Sequence, residues 1–336
     1  MPLNSPVSIL MPVYNEARYL QAALDSLYRQ TLTSWELIAV DDGSTDRTPE
    51  ILANAARNDR RISVLKCKRA GLVAALTIGL KACRFPLVAR FDGDDICHPL
   101  RLELQAAYLD THPETGLVAC DFRHFPRSGI KQGMIDYESW QNSLKYHELI
   151  IRDLFVESPF VHPSVMFRRS TIERCGGYRD NGWPEDYDLW LRMAGAGVQF
   201  ARLPQTLLFW RDHPQRATRI MKEYALQAFR ACKCHYLLHG FLRETTFIVI
   251  AGAGQEARAW QRLLSASGVS VSAWLDVDPK KIGRTLHDAP VLHPESLDLH
   301  GRKMIAAIGV RGAREHFRLV AQQRGWREGV DFISVA

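Results

Sequence analysis

PLVARFDGDDICHP (Pro86–Pro99) sets three carboxylates, Asp92, Asp94 and Asp95, directly behind an apolar run. Adjacent like charges repel, and aspartate is disfavoured inside strands and helices alike. Such a cluster belongs just beyond the end of an element, where something positive can come to it. Working outward toward the N-terminus, VSILMPVY (7–14) reads as a buried strand and EARYLQAALDSLYRQ (16–30) carries apolar residues at helical spacing. WELIAVDDGS (35–44) is a second strand ending in acid and glycine. TPEILANAARND (48–59) reads as a helix with Thr48 as its cap and Pro49 at its first position. RISVLKC (61–67), GLVAALTIGLKAC (71–83) and PLVARFD (86–92) continue as strand, helix, strand. Alternation of this kind predicts an α/β fold with a mainly parallel sheet covered by helices on both faces. Ligands of such sheets sit beyond the carboxyl ends of the strands. Asp41, Asp42, Asp92, Asp94 and Asp95 all fall there, so the carboxylates converge on one edge of the sheet.

Downstream the pattern is less regular. GLVACDFRHF (116–125) reads as a strand, ESWQNSLKYHELIIRDLF (138–155) as one amphipathic helix, and PEDYDLWLRMAGAG (184–197) as a helix with acids in its first turn. Residues 218–244 read as a helical connector. From Phe247 the alternation restarts. FIVIAGAGQEARAWQRLLSASGVSVSAWLDVDP (247–279) and KMIAAIGVRGAREHFRLVAQQRG (303–325) each run strand, glycine turn, helix. The expected organisation is thus a catalytic domain over 1–217, a connector over 218–244 and a smaller Rossmann-like domain over 245–336.

The 336 residues are 46% hydrophobic and 24% charged, the profile of an ordinary soluble protein with room for two cores. No apolar run is long enough to span a membrane, and the first residues lack the basic start and cleavage site of a signal peptide. The seven cysteines show no paired metal spacing, Cys232 and Cys234 being too close together for a zinc site. Cytoplasmic localisation is expected. A net charge of +6 suits anionic partners, a nucleoside diphosphate or the inner face of a membrane. No nucleic-acid module is present in the pattern of aromatic and basic residues, so nucleic acid is not an expected partner.

SILMPVYNEARYL (8–20), LIAVDDGSTDRT (37–48), FDGDDICHPLRLE (91–103), HPSVMFRRS (162–170) and EDYDLWLR (185–192) occur in this order. Together they resemble glycosyltransferase family 2, over roughly residues 5 to 215. The resemblance implies a GT-A-like fold and an inverting, metal-dependent transfer of sugar from a nucleotide-sugar, a UDP-sugar in expectation. The acceptor would be a glycan or a lipid-linked glycan, in cell-surface polysaccharide synthesis, with peripheral association at the membrane's inner face. Asp92 and Asp94 match the Asp-x-Asp positions that hold Mg²⁺ or Mn²⁺, which neutralises the leaving diphosphate. Asp95 either joins them or caps the following segment. Pro12, Tyr14 and Glu16 would lie along the nucleotide, with Tyr14 either stacking on the base or closing the sheet edge. Asp42 would accept from the base, with Asp41 sharing that contact or supporting the loop. Lys68 and Arg69 either approach the donor or form a solvated turn.

By the same resemblance Asp186 is the base that takes the acceptor's hydroxyl proton, with Glu185 orienting substrate. A carboxylate in a helix's first turn is expected to have a low pKa, because the dipole favours its charge. FWRDHPQR (209–216) resembles the segment that folds over the donor, with Arg211 offsetting leaving-group charge and His213 touching metal or phosphate. His162 shapes the acceptor region or is simply packed. In the C-terminal domain Gly252, Gly254 and Ala257 fit G-x-G-x-x-A, and Asp276 stands near the spacing of a ribose contact, a second nucleotide site in outline. The stretch 273–297 resembles the N-terminal domain of sugar O-acyltransferases, which leaves ligand binding and scaffolding both open. Two other classes compete with the transferase. A sugar nucleotidyltransferase needs a glycine- and basic-rich loop after its first strand, which PVYNEARYL is not. A non-catalytic sugar-nucleotide sensor would bind donor without turnover.

Overall fold

The computed structural model describes residues 5–299, 301–310 and 312–336. These form two units. One runs to Ile150 and resumes over Pro159–Met221; the other comprises Ile151–Ser158 and Lys222–Ala336.

The first unit is built on eight strands: β1 (Val7–Val13), β2 (Trp35–Asp41), β3 (Ile62–Lys66), β4 (Leu87–Arg90), β5 (Ile96–Cys97), β6 (Thr115–Phe125), β7 (Val165–Arg168) and β8 (Gln199–Arg211). Their spatial order is β3-β2-β1-β4-β7-β6-β8-β5. β1 to β4 run parallel, while β7 lies antiparallel between β4 and β6, so the sheet is mixed. β1 and β2 are buried at every residue, because helices cover both faces, and that is why they read as unbroken apolar runs. Within these runs Glu36 of β2 and Ser8 of β1 are polar, and they satisfy each other: Glu36 accepts from Ser8 Oγ at 2.6 Å and from Arg84 Nε at 2.6 Å. β1 pairs with β2 on one side and β4 on the other. The chain therefore reverses its winding at β1, and the crevice beyond β1 and β4 is the switch point where ligands bind.

Residues 138–155 do not form one helix. Gln132–Ser143 and His147–Asp153 are separate helices. At the break Lys145 Nζ reaches Asp121 at 2.6 and 2.7 Å, and the Leu144 carbonyl accepts from Arg202 Nε at 3.2 Å. These long-range bonds outweigh the local periodicity. Thr48 begins its helix, but its hydroxyl accepts from the Glu16 amide at 2.8 Å instead of capping.

The second unit holds β9 (Phe247–Ala251), β10 (Ser270–Leu275), β11 (Thr285–Leu286), β12 (Ala289–Leu292), β13 (Lys303–Ala306) and β14 (Phe332–Ser334). Their order is β11-β12-β10-β9-β13-β14, parallel throughout except for the β11–β12 hairpin. It is a doubly wound nucleotide-fold arrangement, with its switch point between β9 and β13. Within the segment 218–244, the helix Leu226–His239 and the turn after it place Cys234, Leu237 and Leu242 in this unit's core. Ile151–Ser158 is held in the same unit by polar bonds. Asp153 accepts from Arg318 Nη2 at 2.5 Å and Arg152 Nε at 2.9 Å, and buried Lys233 donates to the Val156 carbonyl at 2.6 Å and the Val335 carbonyl at 3.3 Å. All seven cysteines are free thiols, Cys232 and Cys234 among the buried ones.

Candidate active site

Two loops meet beyond β1 and β2. Asn15, in the left-handed region at φ 55°, accepts from the Thr45 amide at 2.8 Å and donates its own amide to Ser44 Oγ at 3.0 Å. Asp46 accepts from the Ala17 amide at 3.0 Å. Asn15, Ser44, Asp46 and Thr48 thus lace the loop carrying Tyr14 and Glu16 to the loop carrying Asp41 and Asp42. Sequence alone marks none of the four as a site residue, since the bonds by which they join the two loops run to partners about thirty residues away. Pro12 is buried in β1 opposite Val40. Asp41 Oδ1 accepts from the Ser44 amide at 3.0 Å, closing the turn. Gly43 needs its φ of +73° there, and a Cβ would sit 2.9 Å from the Arg69 amide nitrogen.

Asp42 anchors the loop 67–71. It accepts from the Ala70 amide at 2.7 Å and the Gly71 amide at 2.9 Å, pairs with Arg69, and lies 3.6 Å from Cys67 Sγ. Arg69 in turn lies 3.5 Å over the Tyr14 ring. Arg69 therefore joins Asp42 to Tyr14, while Lys68 is exposed.

The three aspartates of FDGDD converge: one carboxylate oxygen from each of Asp92, Asp94 and Asp95 lies within 4.8 Å of the others. Each is held from a different side. Asp92 meets Arg90 Nη2 at 2.6 Å; Asp94 meets His213 Nε2 at 2.8 Å; Asp95 Oδ1 accepts from the Arg211 amide at 2.8 Å. Asp95 binds the end of β8 and does not cap the next segment. Its Oδ2 is buried without a hydrogen-bond partner among the described residues. Burial, then Asp94 and Asp92, push the Asp95 carboxyl well above the carboxylate range. Glu16 faces the same charges. Burial, then Asp94, Asp92 and Asp46, push it up to about 9. Crowded carboxylates with one orphaned buried oxygen fit a hard divalent cation, which would relieve the repulsion. Arg211 donates Nε to the Asp94 carbonyl at 2.5 Å and lies between the Tyr19 and Phe125 rings at 4.5 and 4.3 Å.

Arg90, which no sequence motif marks, connects this cluster to a second acidic pair. It is fully buried at the end of β4, and its charge acts on Asp92, Tyr178 and Glu185. Glu185 and Asp186 open the helix Glu185–Gly195. Glu185 Oε1 lies 3.4 Å from His162 Nδ1, whose other nitrogen meets the Tyr178 hydroxyl at 2.8 Å. Burial, then Arg90, lowers the pKa of His162, so it packs as a neutral ring. Asp186 is only partly buried, and its Oδ1 accepts from the Tyr187 amide at 2.7 Å. The low pKa expected from its helix position is corrected here. Burial, then Glu185, raises Asp186 well above the usual aspartate value, overriding the helix dipole and Arg90. Asp188, buried on the same helix, accepts from Trp183 Nε1 at 2.9 Å and Arg192 Nε at 2.8 Å, fixing the preceding loop.

Gly252, Gly254 and Asp276 lie in the second unit. Gly252 has φ +97°, and a Cβ would sit 2.8 Å from the Ala307 carbonyl oxygen, so the turn after β9 demands glycine. Gly254 precedes the helix Gln255–Ala266. Asp276 accepts from the Ala253 amide at 3.0 Å and from Lys281 Nζ at 2.8 Å, bracing that turn.

An acidic cluster at the switch point of a mixed α/β sheet, with a second carboxylate pair joined to it through Arg90, places this chain among α/β folds with a ligand site beyond the carboxyl ends of their strands. The model of Glycosyl transferase family 2 matches residues 8–176, and the chain belongs to that family. The amylovoran biosynthesis glycosyltransferase AmsE of Erwinia amylovora is 31% identical over 72% of this chain and 91% of its own length. The UDP-Gal:alpha-D-GlcNAc-diphosphoundecaprenol beta-1,3-galactosyltransferase of Escherichia coli is 29% identical over 72% and 87%. Among solved structures, the mannosyltransferase PcManGT of Pyrobaculum calidifontis, in complex with GDP-Man and Mn²⁺, superposes with a TM-score of 0.51 at 20% identity, covering 79% of this chain and 69% of that one. The last likeness speaks to the fold alone, a GT-A-like one.

Proposed function

We propose that this glycosyltransferase is inverting and metal-dependent, and moves a sugar from a UDP-sugar to a glycan or lipid-linked acceptor in cell-surface polysaccharide synthesis. The observation that carries it is the convergence of Asp92, Asp94 and Asp95, one oxygen orphaned, beyond β4 at the switch point. Asp92 and Asp94 would hold Mg²⁺ or Mn²⁺, which supplies positive charge against the leaving diphosphate. The Mn²⁺ of the mannosyltransferase complex supports this, as does the UDP-sugar named for the galactosyltransferase. Tyr14 and Arg69 form a flat cationic platform beside Asp42, suited to base and ribose. His213 stands on the phosphate side through Asp94.

The acceptor hydroxyl attacks the anomeric carbon opposite the departing nucleoside diphosphate. Asp186 takes the hydroxyl proton as the new bond forms. Asp186 suits that role better than Glu185, because it is the less buried of the two while Glu185 is shut in against His162. A carboxyl with a raised pKa is a stronger base once ionised, nearer the strength that favours proton transfer at neutral pH. His162, bonded to Tyr178, positions Glu185 at the acceptor side. We assign residues 1–217 to transfer and 245–336 to a scaffold resembling the N-terminal domain of sugar O-acyltransferases. Because Asp276 braces the turn after β9, any nucleotide bound there would be held weakly. Among the described residues no helix is long and apolar enough to cross a membrane. The lipid-linked acceptor in the galactosyltransferase's name supports work at the inner membrane face, from the cytoplasm. The test is turnover on a panel of nucleotide-sugars with and without Mn²⁺, the product's anomeric configuration being read by NMR. Retention of configuration would refute inversion, and binding without turnover on any acceptor extract would leave a sensor.

A further inference from the structure

Arg216 is a largely buried arginine whose guanidinium finds no hydrogen-bond acceptor among the described residues. Its side chain is 8% exposed, yet none of the described residues accepts a hydrogen bond from its guanidinium. The nearest carboxylate, Asp212, is 3.9 Å away and is already held by Arg219 at 2.7 and 2.8 Å. Nor does Arg216 close on the orphaned Asp95 Oδ2, although the Asp95 and Asp94 charges act on it. None of its nitrogens is among the sealed unpartnered atoms, so the fork opens to solvent, whereas a purely structural counter-ion would have closed on one of these acids. What does hold Arg216 is the Trp210 ring, 3.5 Å beneath it, and its own amide, which donates to the His213 carbonyl at 3.3 Å. Stacking fixes the plane of the guanidinium and leaves its N–H fork free. The fork thus stands one turn past His213, beside the acidic cluster.

We infer that Arg216 binds the diphosphate of the nucleotide-sugar donor, taking phosphate oxygens in its planar fork. This deepens the donor reading above and rests on it. Anionic oxygens in that position satisfy donors the protein leaves unused, and phosphate matches the fork's geometry. As the sugar leaves, the charge on the diphosphate grows, and a fixed guanidinium gains attraction with it.

The test uses the full chain and its Arg216→Gln and Arg216→Lys variants, titrated with UDP, GDP, uridine and guanosine in the presence of Mg²⁺. The diphosphate that binds the wild type should bind Arg216→Gln about ten- to a hundredfold more weakly, the range for a lost charge-assisted bond. The matching nucleoside should bind unchanged, Arg216→Lys should fall between, and in turnover the donor KM should rise while the acceptor KM stays. Equal weakening of nucleoside and diphosphate would mark a structural role and overturn the inference. So would unchanged diphosphate affinity in a folded variant, with the donor reading left standing. Wild-type protein that bound neither UDP nor GDP would overturn the donor reading itself.

Discussion

Asp186→Asn should stabilise the protein while nearly abolishing transfer, and the stabilisation should depend on pH in a definite way. Burial, then Glu185, raises the Asp186 pKa in the folded chain well above its unfolded value, which lies at about 3.9. Below the unfolded value both states carry the proton, and the stability from this group is fully present. Between the two values the folded chain holds a proton that the unfolded chain has released. Wild-type stability therefore falls by about 1.4 kcal/mol per pH unit across that window, and the loss is complete above the folded value. Asparagine has no proton to lose, so the variant escapes the slope. With about 2–4 °C per kcal/mol for a unit of this size, the melting point of the variant should pull ahead by roughly 3–6 °C per pH unit. Transfer should fall by about 10²–10⁴, the share of a general base, with donor affinity intact. Wild-type kcat should climb with pH through the same folded pKa, and the variant's residual rate should lack that limb. Scanning calorimetry across pH beside initial rates reads both. A melting-point gap that stays flat with pH would refute the electrostatic account. Near-normal transfer in Asp186→Asn with Glu185→Gln inactive would move the base to Glu185.

Asp94→Asn removes a carboxylate from the cluster and the partner of His213, so metal-dependent UDP affinity should fall by at least about tenfold, the cost of one lost charge-assisted contact; unchanged calorimetric binding in folded protein would exclude Asp94 from the site. Asp42→Ala strips the Ala70 and Gly71 amides and Arg69 of their acceptor, and donor KM should rise while the melting point drops by no more than a local loop requires; an unaltered donor KM would show that the loop 67–71 plays no part in binding. Asp153→Ala removes an acceptor from Arg152 and Arg318, and because Arg318 keeps Glu328 and Glu315 the cost in the second unit should be about 1.5–3 kcal/mol, that of lost charge-assisted bonds; urea unfolding that shifts less than about 1 kcal/mol would mean solvent replaces the bond. A truncated chain beginning at Lys222 lacks Ile151–Ser158 and should unfold at lower urea than the same unit in the full protein, as followed by tryptophan fluorescence.

The parallel half of the catalytic fold was legible because geometry leaves the sequence little choice there. β1 and β2, covered on both faces, are apolar along most of their length, and an acid inside them, such as Glu36, needs partners of its own, so unpartnered acids collect at the carboxyl end. The Asp92–Asp94–Asp95 convergence follows from that one rule. What stayed illegible depends on partners distant in sequence. Lys145 breaks a helix because Asp121 is beside it in space, and nothing in residues 138–155 reports Asp121. Ile151–Ser158 joins the second unit through Arg318 and Lys233, neither of them visible from the helix that ends there. Asp42 reads as a free acceptor until the amides of residues 70 and 71 are placed around it. Asp186 shows how a local rule can fail in sign. The first-turn position does favour charge, but burial and an adjacent acid outweigh it.

The cations of the site obey the same logic of prior commitment. Arg211 stands where a leaving-group partner was expected, yet its Nε is engaged by the Asp94 carbonyl, its amide by Asp95 and its faces by Tyr19 and Phe125. It holds the acidic loop in place. Arg90 is committed to Asp92, and Arg69 to Asp42 and Tyr14. Each of these is tied to a carboxylate or a ring of the loops around the cluster. A reaction that sheds a diphosphate still needs positive charge that becomes more useful as the bond breaks. Arg216 differs from them in that, among the described residues, no carboxylate or carbonyl accepts from its guanidinium, which is stacked on Trp210 instead. On the proposal made for Arg216, the residue that tightens the acidic loop, Arg211, and the residue that takes phosphate oxygens are different arginines, so holding the loop does not use up the phosphate-binding fork.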